Sequence, residues 1–537
     1  MKTETTSDSP VPHSQRISRI AESVVLFALA VYALFAPHSI AVTQGAYLLG
    51  MLAWAVQLAA TRRFNLPRTP ADIAIFGFFA CCVVSSFLSY VPLVSIKGLR
   101  SPAFFLAFYF VFNKVPSLRF ARLLAFTIVF SCLVNVGYSA NQIAVGRGLR
   151  IDSITQDSPF SRRDFRIGDV IIEVDRQPVE SINDLLRIVD AQRGPVMIKY
   201  QRGEIAYETT LSRRAIKRAM REGLDQLGIT TSPGRSFRVS GFYSHYETYA
   251  EVLQLIAALA VGLLIAQRNK TSARAIFLWA SVALITGTIL MTSTRAAISG
   301  LALAVIVMAI ASSRRRAIVA AVVGLLIFIP LGMLALERSR GLSMFDPSDG
   351  STAYRLKVWG EALTLVKAHP LVGIGKGSEG KLKDLLGLYD NGRLPPGHFH
   401  STIIQIATWW GLPALAFYAA FMMIFLRSFW HLAEIARKEE ESDIWGIALG
   451  GIGALVAFNV SSLVHFNFGD GEVVMTFWFI TGLVFAARRL KLESVDSSRR
   501  EHTPAPPSEE GSQKSQLRPQ ESASESSFRA AGARRSS

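Results

Sequence analysis

Charged residues and cysteines are scarce in this 537-residue sequence. Only 18% of the residues are charged, against about a quarter in a typical soluble protein, whereas half are hydrophobic. The three cysteines, Cys81, Cys82 and Cys132, lie inside apolar runs and have no partner at metal-ligand spacing, so they indicate neither disulfides nor a metal site. Asp and Glu form no cluster with metal-ligand spacing, so we expect no metal and no cofactor.

Acidic residues are outnumbered by basic ones, and the formal net charge is +17. A charge of this size could indicate a nucleic-acid-binding protein. The Lys and Arg residues, however, punctuate long apolar runs, as they do where cytoplasmic loops contact anionic lipid. We therefore expect membrane lipids, and no nucleic acid, as the partners of these residues.

Apolar runs of roughly 20 residues, the length that crosses a bilayer as a helix, recur along the chain. Few charged residues interrupt them. They predict a polytopic membrane protein with about 12 spans, centred on residues 22–37, 42–60, 72–92, 101–113, 120–140, 247–267, 274–291, 295–312, 316–336, 402–426, 444–463 and 473–488.

Five short segments between the runs are basic: 61–68, 113–122, 267–274, 312–317 and 487–491. Since Lys and Arg in short loops favour the cytoplasmic side, both termini are predicted to be cytoplasmic. Two long segments, 141–246 and 337–400, then lie on the outer side.

The predicted organisation has seven parts: an N-terminal tail with five spans (1–140), an outer β-rich module (146–212), a basic amphipathic connector (213–245), spans six to nine (246–336), a large outer loop (337–400), three last spans (401–490) and a tail (491–537). The connector would lie on the membrane surface or pack against the module. The tail is predicted to be disordered and cytoplasmic because it has almost no large apolar residue.

The module alternates apolar and polar residues in "GLRIDSIT" and "GDVIIEVD", as half-buried strands do, before a helix at 181–192. This stretch resembles a PDZ domain, with its Gly-rich loop, strand, "SP", "GD-V-I" and short helix. The resemblance implies a groove for a C-terminal peptide, whose carboxylate would contact the loop formed by Gly146, Gly148 and Leu149. "RRDFRIGD" departs from the family pattern, so a module that binds no peptide stays an alternative.

Basic residues gather at the outer ends of the spans, where short loops should have few of them. Arg238 precedes the sixth span, Arg295 lies in a tight outer turn, and Arg355 lies in the second long segment, while His398 and His400 stand at the entry to the tenth span. Each arginine alone could simply snorkel to the interface. Together they fit a phosphorylated lipid, because a guanidinium binds phosphate oxygens bidentately.

The string "HSTIIQIATWWGLPA" is similar to the signature of the O-antigen ligase family of membrane glycosyltransferases, a His, a small polar residue, nine residues and a Gly. His400 and Gly411 match it, and Ala414 stands where the family has a second glycine. "STR", the pair Arg355 and Trp359, and "HPLVGIGKGS" also look like the family. The resemblance covers roughly 70–140 and 235–490 and implies a mainly α, GT-C-like fold in a bacterial inner membrane, with the outer side as the periplasm.

The resemblance also implies the chemistry. The donor would be a glycan on undecaprenyl diphosphate and the acceptor a hydroxyl of a lipid A core, a growing glycan or a protein, with inversion and without a metal. His400 would be the general base, and Arg238 and Arg355, with Arg295 as a third, would bind the diphosphate. His245 and His398 are secondary candidates.

Three activities within the family, ligation, polymerisation and protein glycosylation, stay open from one sequence. A transporter or flippase of lipid-linked saccharide is the alternative from another class, and it predicts charged residues in mid-span. A membrane-tethered PDZ scaffold is a third, but it leaves the arginines and histidines without a role.

Overall fold

The computed structural model describes residues 13–62, 67–146, 148–161, 164–191, 193–202, 205–222, 225–234, 238–340, 350–394 and 397–502. Most of these residues are helical, and one antiparallel sheet lies between residues 149 and 233. The predicted fold class, a mainly α polytopic chain with a small β-rich insert, is therefore confirmed.

Helices precede and follow the insert along the sequence. Those before it are α1 (His13–Phe35), α2 (Ile40–Thr61), α3 (Asp72–Phe87), α4 (Pro92–Gly98), α5 (Leu106–Lys114) and α6 (Leu118–Val145). The insert has β1 (Leu149–Ile154), β2 (Val170–Val174), β3 (Gln177–Pro178), α7 (Ile182–Ala191), β4 (Val196–Arg202), β5 (Ile205–Leu211), α8 (Arg213–Arg221) and β6 (Ile229–Pro233).

The second helical region contains α9 (Tyr246–Ala266), α10 (Ala273–Thr292), α11 (Arg295–Ser312), α12 (Arg315–Arg340), α13 (Gly350–Ala368), α14 (Glu379–Leu386), α15 (Leu388–Gly392), α16 (Thr402–Lys438), α17 (Ser442–Ser461) and α18 (Gly471–His502). Of these, α15 is a short element in which three residues have left-handed φ values. The compact unit ends at Leu490, and α18 continues to His502. Helix thus covers the first 12 residues of the predicted tail, whose remainder lies outside the described residues.

Ten helical segments within the described residues are long and apolar enough to cross a membrane, against about 12 predicted. One of them, Pro92–Lys114, is broken between α4 and α5, where Pro102 begins a 3-10 turn. The predicted span at 72–92 becomes α3, which ends at Phe87 after only 16 residues. The predicted span at 316–336 lies in α12, whose side chains are described only in part.

Helix α9 is the most buried of the candidate spans. It packs against α10, α11 and α17, and a Cβ added to Gly262 of α9 would lie 2.2 Å from the backbone nitrogen of Gly450 in α17. Small residues allow this close approach, which supplies the packing that holds helices together in a membrane. The packing consequently fixes the position of the polar residues in the first two turns of α9.

Helix α16 is interrupted at Gly411, where φ is +85°. The loop between α13 and α14 fills the gap, since Leu412 N–H donates to Pro370 O, while Ile374 N–H and Gly375 N–H donate to the carbonyls of Thr408 and Trp409. A Cβ at Gly411 would lie 2.3 Å from the carbonyl oxygen of Leu371. The glycine of the "HSTIIQIATWWG" string thus allows this loop to pass against the helix.

The insert is a sheet with strand order β5-β4-β2-β1-β6, and β3 pairs with β2. β6 lies outside the predicted module of 146–212, so the module extends to residue 233. Helix α8 belongs to it as well, because Ile216 and Ala219 are buried in the core of the module. Of the two positions predicted for this helix, packing against the module is the one observed.

The predicted peptide-carboxylate loop at Gly146, Gly148 and Leu149 is not consistent with this sheet. β1 begins at Leu149 and is paired on both sides, with β2 and with β6. Gly148 O already accepts a hydrogen bond from Gly234 N–H at 3.0 Å. A peptide needs a free strand edge, so it cannot add beside this loop.

Candidate functional site

His398 and His400 lie in the loop that enters α16. Ser401 caps the helix by accepting a hydrogen bond from Ile404 N–H, and His400 just before it has a left-handed φ of +49°. Such a conformation costs about 1–3 kcal/mol for a residue other than glycine, and it persists where surrounding contacts fix it. The two imidazole rings are 4.2 Å apart, and His400 N–H donates to His398 Nδ1 at 3.2 Å.

The residue between the two histidines holds the loop in place. Phe399 is fully buried, its carbonyl accepts from Trp359 Nε1 at 2.7 Å, and its N–H donates to Gln405 Oε1 at 2.7 Å. Tyr354, five residues before Trp359 in α13, packs edge-on against the His400 ring, and the ring centroids are 5.5 Å apart. Helices α13 and α16 therefore both fix the orientation of His400.

A third histidine, His465, lies in the loop between α17 and α18. Its Nδ1 is 3.0 Å from Glu251 Oε2, and its Nε2 is 3.4 Å from Glu247 Oε2. The His465 ring is 5.8 Å from that of His398. Burial alone would lower the pKa of His465, but Glu251 and then Glu247 raise it to about 9, so the ring is a cation at neutral pH.

The other two histidines are uncharged at neutral pH. Burial lowers the pKa of His400 to about 4, with Arg355 adding to this effect and Glu247 opposing it. Burial, the neighbouring histidines and Arg355 lower the pKa of His398 to about 3. The three rings thus combine two neutral imidazoles with one imidazolium.

Three arginines lie close to the three histidines. The Arg238 guanidinium donates to Ser293 O at 3.0 Å, in the turn before α11, and lies 4.0 Å from the ring of Tyr246. Arg295, the first residue of α11, is close enough to affect the pKa of Arg238. Arg355 Nε donates to Val464 O at 3.1 Å, directly before His465.

One carboxylate, Glu247, lies within electrostatic reach of four basic residues: His400, His465, Arg238 and Arg355. The sequence-predicted residues His398, His400, Arg238, Arg295 and Arg355 are therefore brought together at one end of the helices. His245 directly precedes α9 and lies near Glu472.

Sequence reasoning missed Glu247, Glu251 and His465. The two glutamates lie four residues apart in "YETYAE", hence on one face of α9, and His465 belongs to a polar stretch between two apolar runs. The two acidic residues inside an apolar run were the available signal, because an acidic group within a span needs a partner. Over the described part of the chain, no group of three His, Cys, Asp or Glu residues is arranged to hold a metal ion.

Comparisons with known proteins match two parts of the chain. The sequence model of the O-antigen ligase family matches residues 280–419, and that of a PDZ domain matches residues 150–202. A putative zinc metalloprotease of Bartonella henselae is 28% identical over 107 residues, which are 19% of this chain and 30% of that protein. The chain thus spans under a third of the length of this curated relative.

The O-antigen ligase match includes Arg295, Arg355, His398 and His400, and it supports a function in glycan transfer at a membrane. The PDZ match lies between α6 and α9, where the sheet is found. This multi-pass membrane protein therefore carries a domain of the O-antigen ligase family, with a PDZ domain inserted between its membrane helices.

Proposed function

We propose that the protein transfers a glycan from undecaprenyl diphosphate to an acceptor hydroxyl at the periplasmic face of the inner membrane, with inversion and without a metal ion. The observation that carries this proposal is the convergence of His400 with Arg238 and Arg355 around Glu247. The family match supports the general class of reaction.

The arginines suit the leaving group. When the bond between the anomeric carbon and the diphosphate oxygen breaks, negative charge grows on the diphosphate, and guanidinium groups already in place stabilise it. Arg238 and Arg355 would contact the diphosphate, with Arg295 beside Arg238 as a third. His465 adds a fixed positive charge behind Arg355.

His400 suits the acceptor. As the acceptor oxygen bonds to the anomeric carbon, its proton passes to the neutral imidazole of His400, while the diphosphate leaves with the bonding electron pair. A pKa of about 4 makes His400 a weak base in the free protein. A bound diphosphate would offset the charge of Arg355, so donor binding would raise the pKa of His400 and strengthen it as a base.

Acceptors of three kinds fit this chemistry: a lipid A core, a growing polysaccharide or a protein. A protein acceptor or partner could be held by the PDZ domain, by addition of a strand to β6 rather than beside β1. β6 is an edge of the sheet, and it follows Leu227 and Gly228, whose left-handed φ values of 62° and 71° are typical of turns that present backbone N–H groups to an anion.

The test is glycan transfer by the full-length protein in lipid nanodiscs, with an undecaprenyl-diphosphate glycan as donor. His400→Ala and Arg355→Ala should lose transfer by at least a hundredfold, since each removes a group used in the transition state. The matched controls, His369→Ala and Arg393→Ala, change the same residue types in the outer loop and should keep activity. Full activity of either site variant would contradict the proposed mechanism.

The products would identify the acceptor. Lipid A core, a lengthened glycan and a peptide would be offered together and separated by mass. Thermal unfolding of each variant would show that a loss of transfer reflects chemistry and not misfolding.

A further inference from the structure

Lys376, in the loop between α13 and α14, has a confined side chain that the proposed mechanism does not use. This side chain passes so close to Gly98 of α4 that a Cβ added to the glycine would lie 2.7 Å from Lys376 Cδ. Its Nζ lies 5.3 Å from the ring centroid of Trp409. The lysine is therefore held between three elements, α4, its own loop and α16.

This ammonium group has no counter-ion at contact distance. Within the described residues, neither Lys376 Nζ nor the guanidinium of the neighbouring Arg100 makes a hydrogen bond or ion pair. Glu379 is the carboxylate that acts most strongly on the charge of Lys376, but it makes no ion pair with it among the described residues; its carboxylate accepts from Trp409 Nε1 at 3.0 Å. Two like charges thus lie together on the side of the membrane where basic residues should be scarce.

The helices on either side of the Lys376 loop, α4 and α14, carry exposed apolar side chains. Tyr90 O, just before α4, accepts from Lys381 Nζ of α14 at 3.4 Å, so the two helices are neighbours. Large apolar side chains are exposed on both, including Leu93, which is 77% exposed, and Leu385, which is 78% exposed. Cations at the edge of an apolar surface fit the anionic headgroup of a lipid-anchored molecule.

The pair is linked to the histidines by a row of aromatic rings. The Trp409 ring is 5.1 Å from that of Phe466, which is 5.8 Å from that of His398. The row reaches His400 through His398, whereas the Arg238 guanidinium lies against Tyr246 on another element, α9. An anion at Lys376 is thus on a different approach to His400 from one held by the arginines.

We propose that Lys376 and Arg100 form a second anion site, which binds a phosphate of a lipid-anchored acceptor while its hydroxyl reaches His400. The assignment to the acceptor rests on the proposed function. The anion site itself rests on two cations that make no ion pair among the described residues, on the exposed apolar side chains of α4 and α14, and on the row of rings from Trp409 to His398.

Binding is tested first, without any transfer. Wild-type protein in maltoside micelles would be titrated with lipid A, which carries phosphates, and with the same lipid after phosphatase treatment. We expect roughly a tenfold preference for the phosphorylated form, as charge-assisted hydrogen bonds give. Lys376→Met and Arg100→Gln should abolish the preference, and Lys376→Arg and the control Lys97→Met, an exposed lysine of α4, should retain it.

Transfer kinetics then distinguish an acceptor phosphate from that of bulk phospholipid. Lys376→Met should raise the KM for the acceptor by about tenfold and leave the KM for the donor unchanged. A preference that persists in both variants would overturn the anion site. A lost preference with an unchanged acceptor KM would overturn the acceptor assignment in favour of phospholipid.

If wild type transfers to no acceptor, the proposed function and the acceptor assignment both fail. The binding comparison would still decide whether Lys376 and Arg100 bind phosphate.

Discussion

Replacing Glu251 by Gln tests whether His465 is held as a cation. The substitution keeps the size of a side chain that is only 1% exposed, but it removes the carboxylate 3.0 Å from His465 Nδ1. Burial, which opposes the charged form of the imidazole, would then be offset only by the more distant carboxylates of Glu247 and Asp470. We expect the pKa of His465 to fall towards its ordinary value of about 6.5.

The magnitude follows from the two protonation equilibria. A folded pKa of about 9 against an ordinary 6.5 corresponds to roughly 3 kcal/mol of folding free energy. Because the folded pKa is the higher one, this stabilisation is complete below about pH 6.5 and is lost as the pH rises through about 9. Glu251 should account for roughly 2 kcal/mol of it, since it is the nearer carboxylate.

The assay is thermal unfolding of wild type and Glu251→Gln in detergent between pH 5.5 and pH 10. Wild type should be the more stable at low pH, and the difference should close as the pH passes about 9. His465→Gln should give the same pH profile as Glu251→Gln, while Glu222→Gln, which removes an exposed carboxylate, should follow wild type. A stability difference that stays constant or widens with pH would refute the charged state of His465.

Three further results are expected. Gly411→Ala should prevent folding, as seen by the yield of monodisperse protein, because the residue has a φ of +85° and no space for a Cβ. The kcat/KM for transfer should fall as the pH drops through about 4, where His400 becomes protonated. In the residual activity of Arg355→Gln, the same fall should occur at a higher pH, because the arginine no longer lowers the pKa of His400. Asp175→Asn should destabilise the PDZ domain by about 3–5 kcal/mol, measured by hydrogen exchange, because the buried guanidinium of Arg213 keeps its backbone carbonyl acceptors but loses its carboxylate partner.

The membrane helices could be predicted because the signal is local. A run of apolar residues long enough to cross a bilayer has few other uses, so most predicted spans match helices within a few residues. The exception at 72–92 arises where Pro92 starts a new helix and the chain turns after Phe87. Hydropathy does not register such a turn, because the residues on both sides of it are apolar.

Contacts between distant parts of the chain could not be predicted in the same way. His465 and Glu251 are 214 residues apart, and only the packing of α9 against α17 brings them together. β6 joins β1 across nearly 80 residues, and "ITTSP" alone is too short to indicate a strand of the same sheet. The arginines could be predicted because each lies in a segment that the basic short loops assign to the outer side.

The interruption of α16 at Gly411 also determines which parts of the site can move. Three backbone hydrogen bonds join the loop after α13 to this helix, from Leu412 to Pro370 and from Ile374 and Gly375 to α16. Separating them at the depth of a span would leave several donors and acceptors without partners, at several kcal/mol each. The loop is therefore fixed against α16, and a movement that opens the site would have to come from other elements.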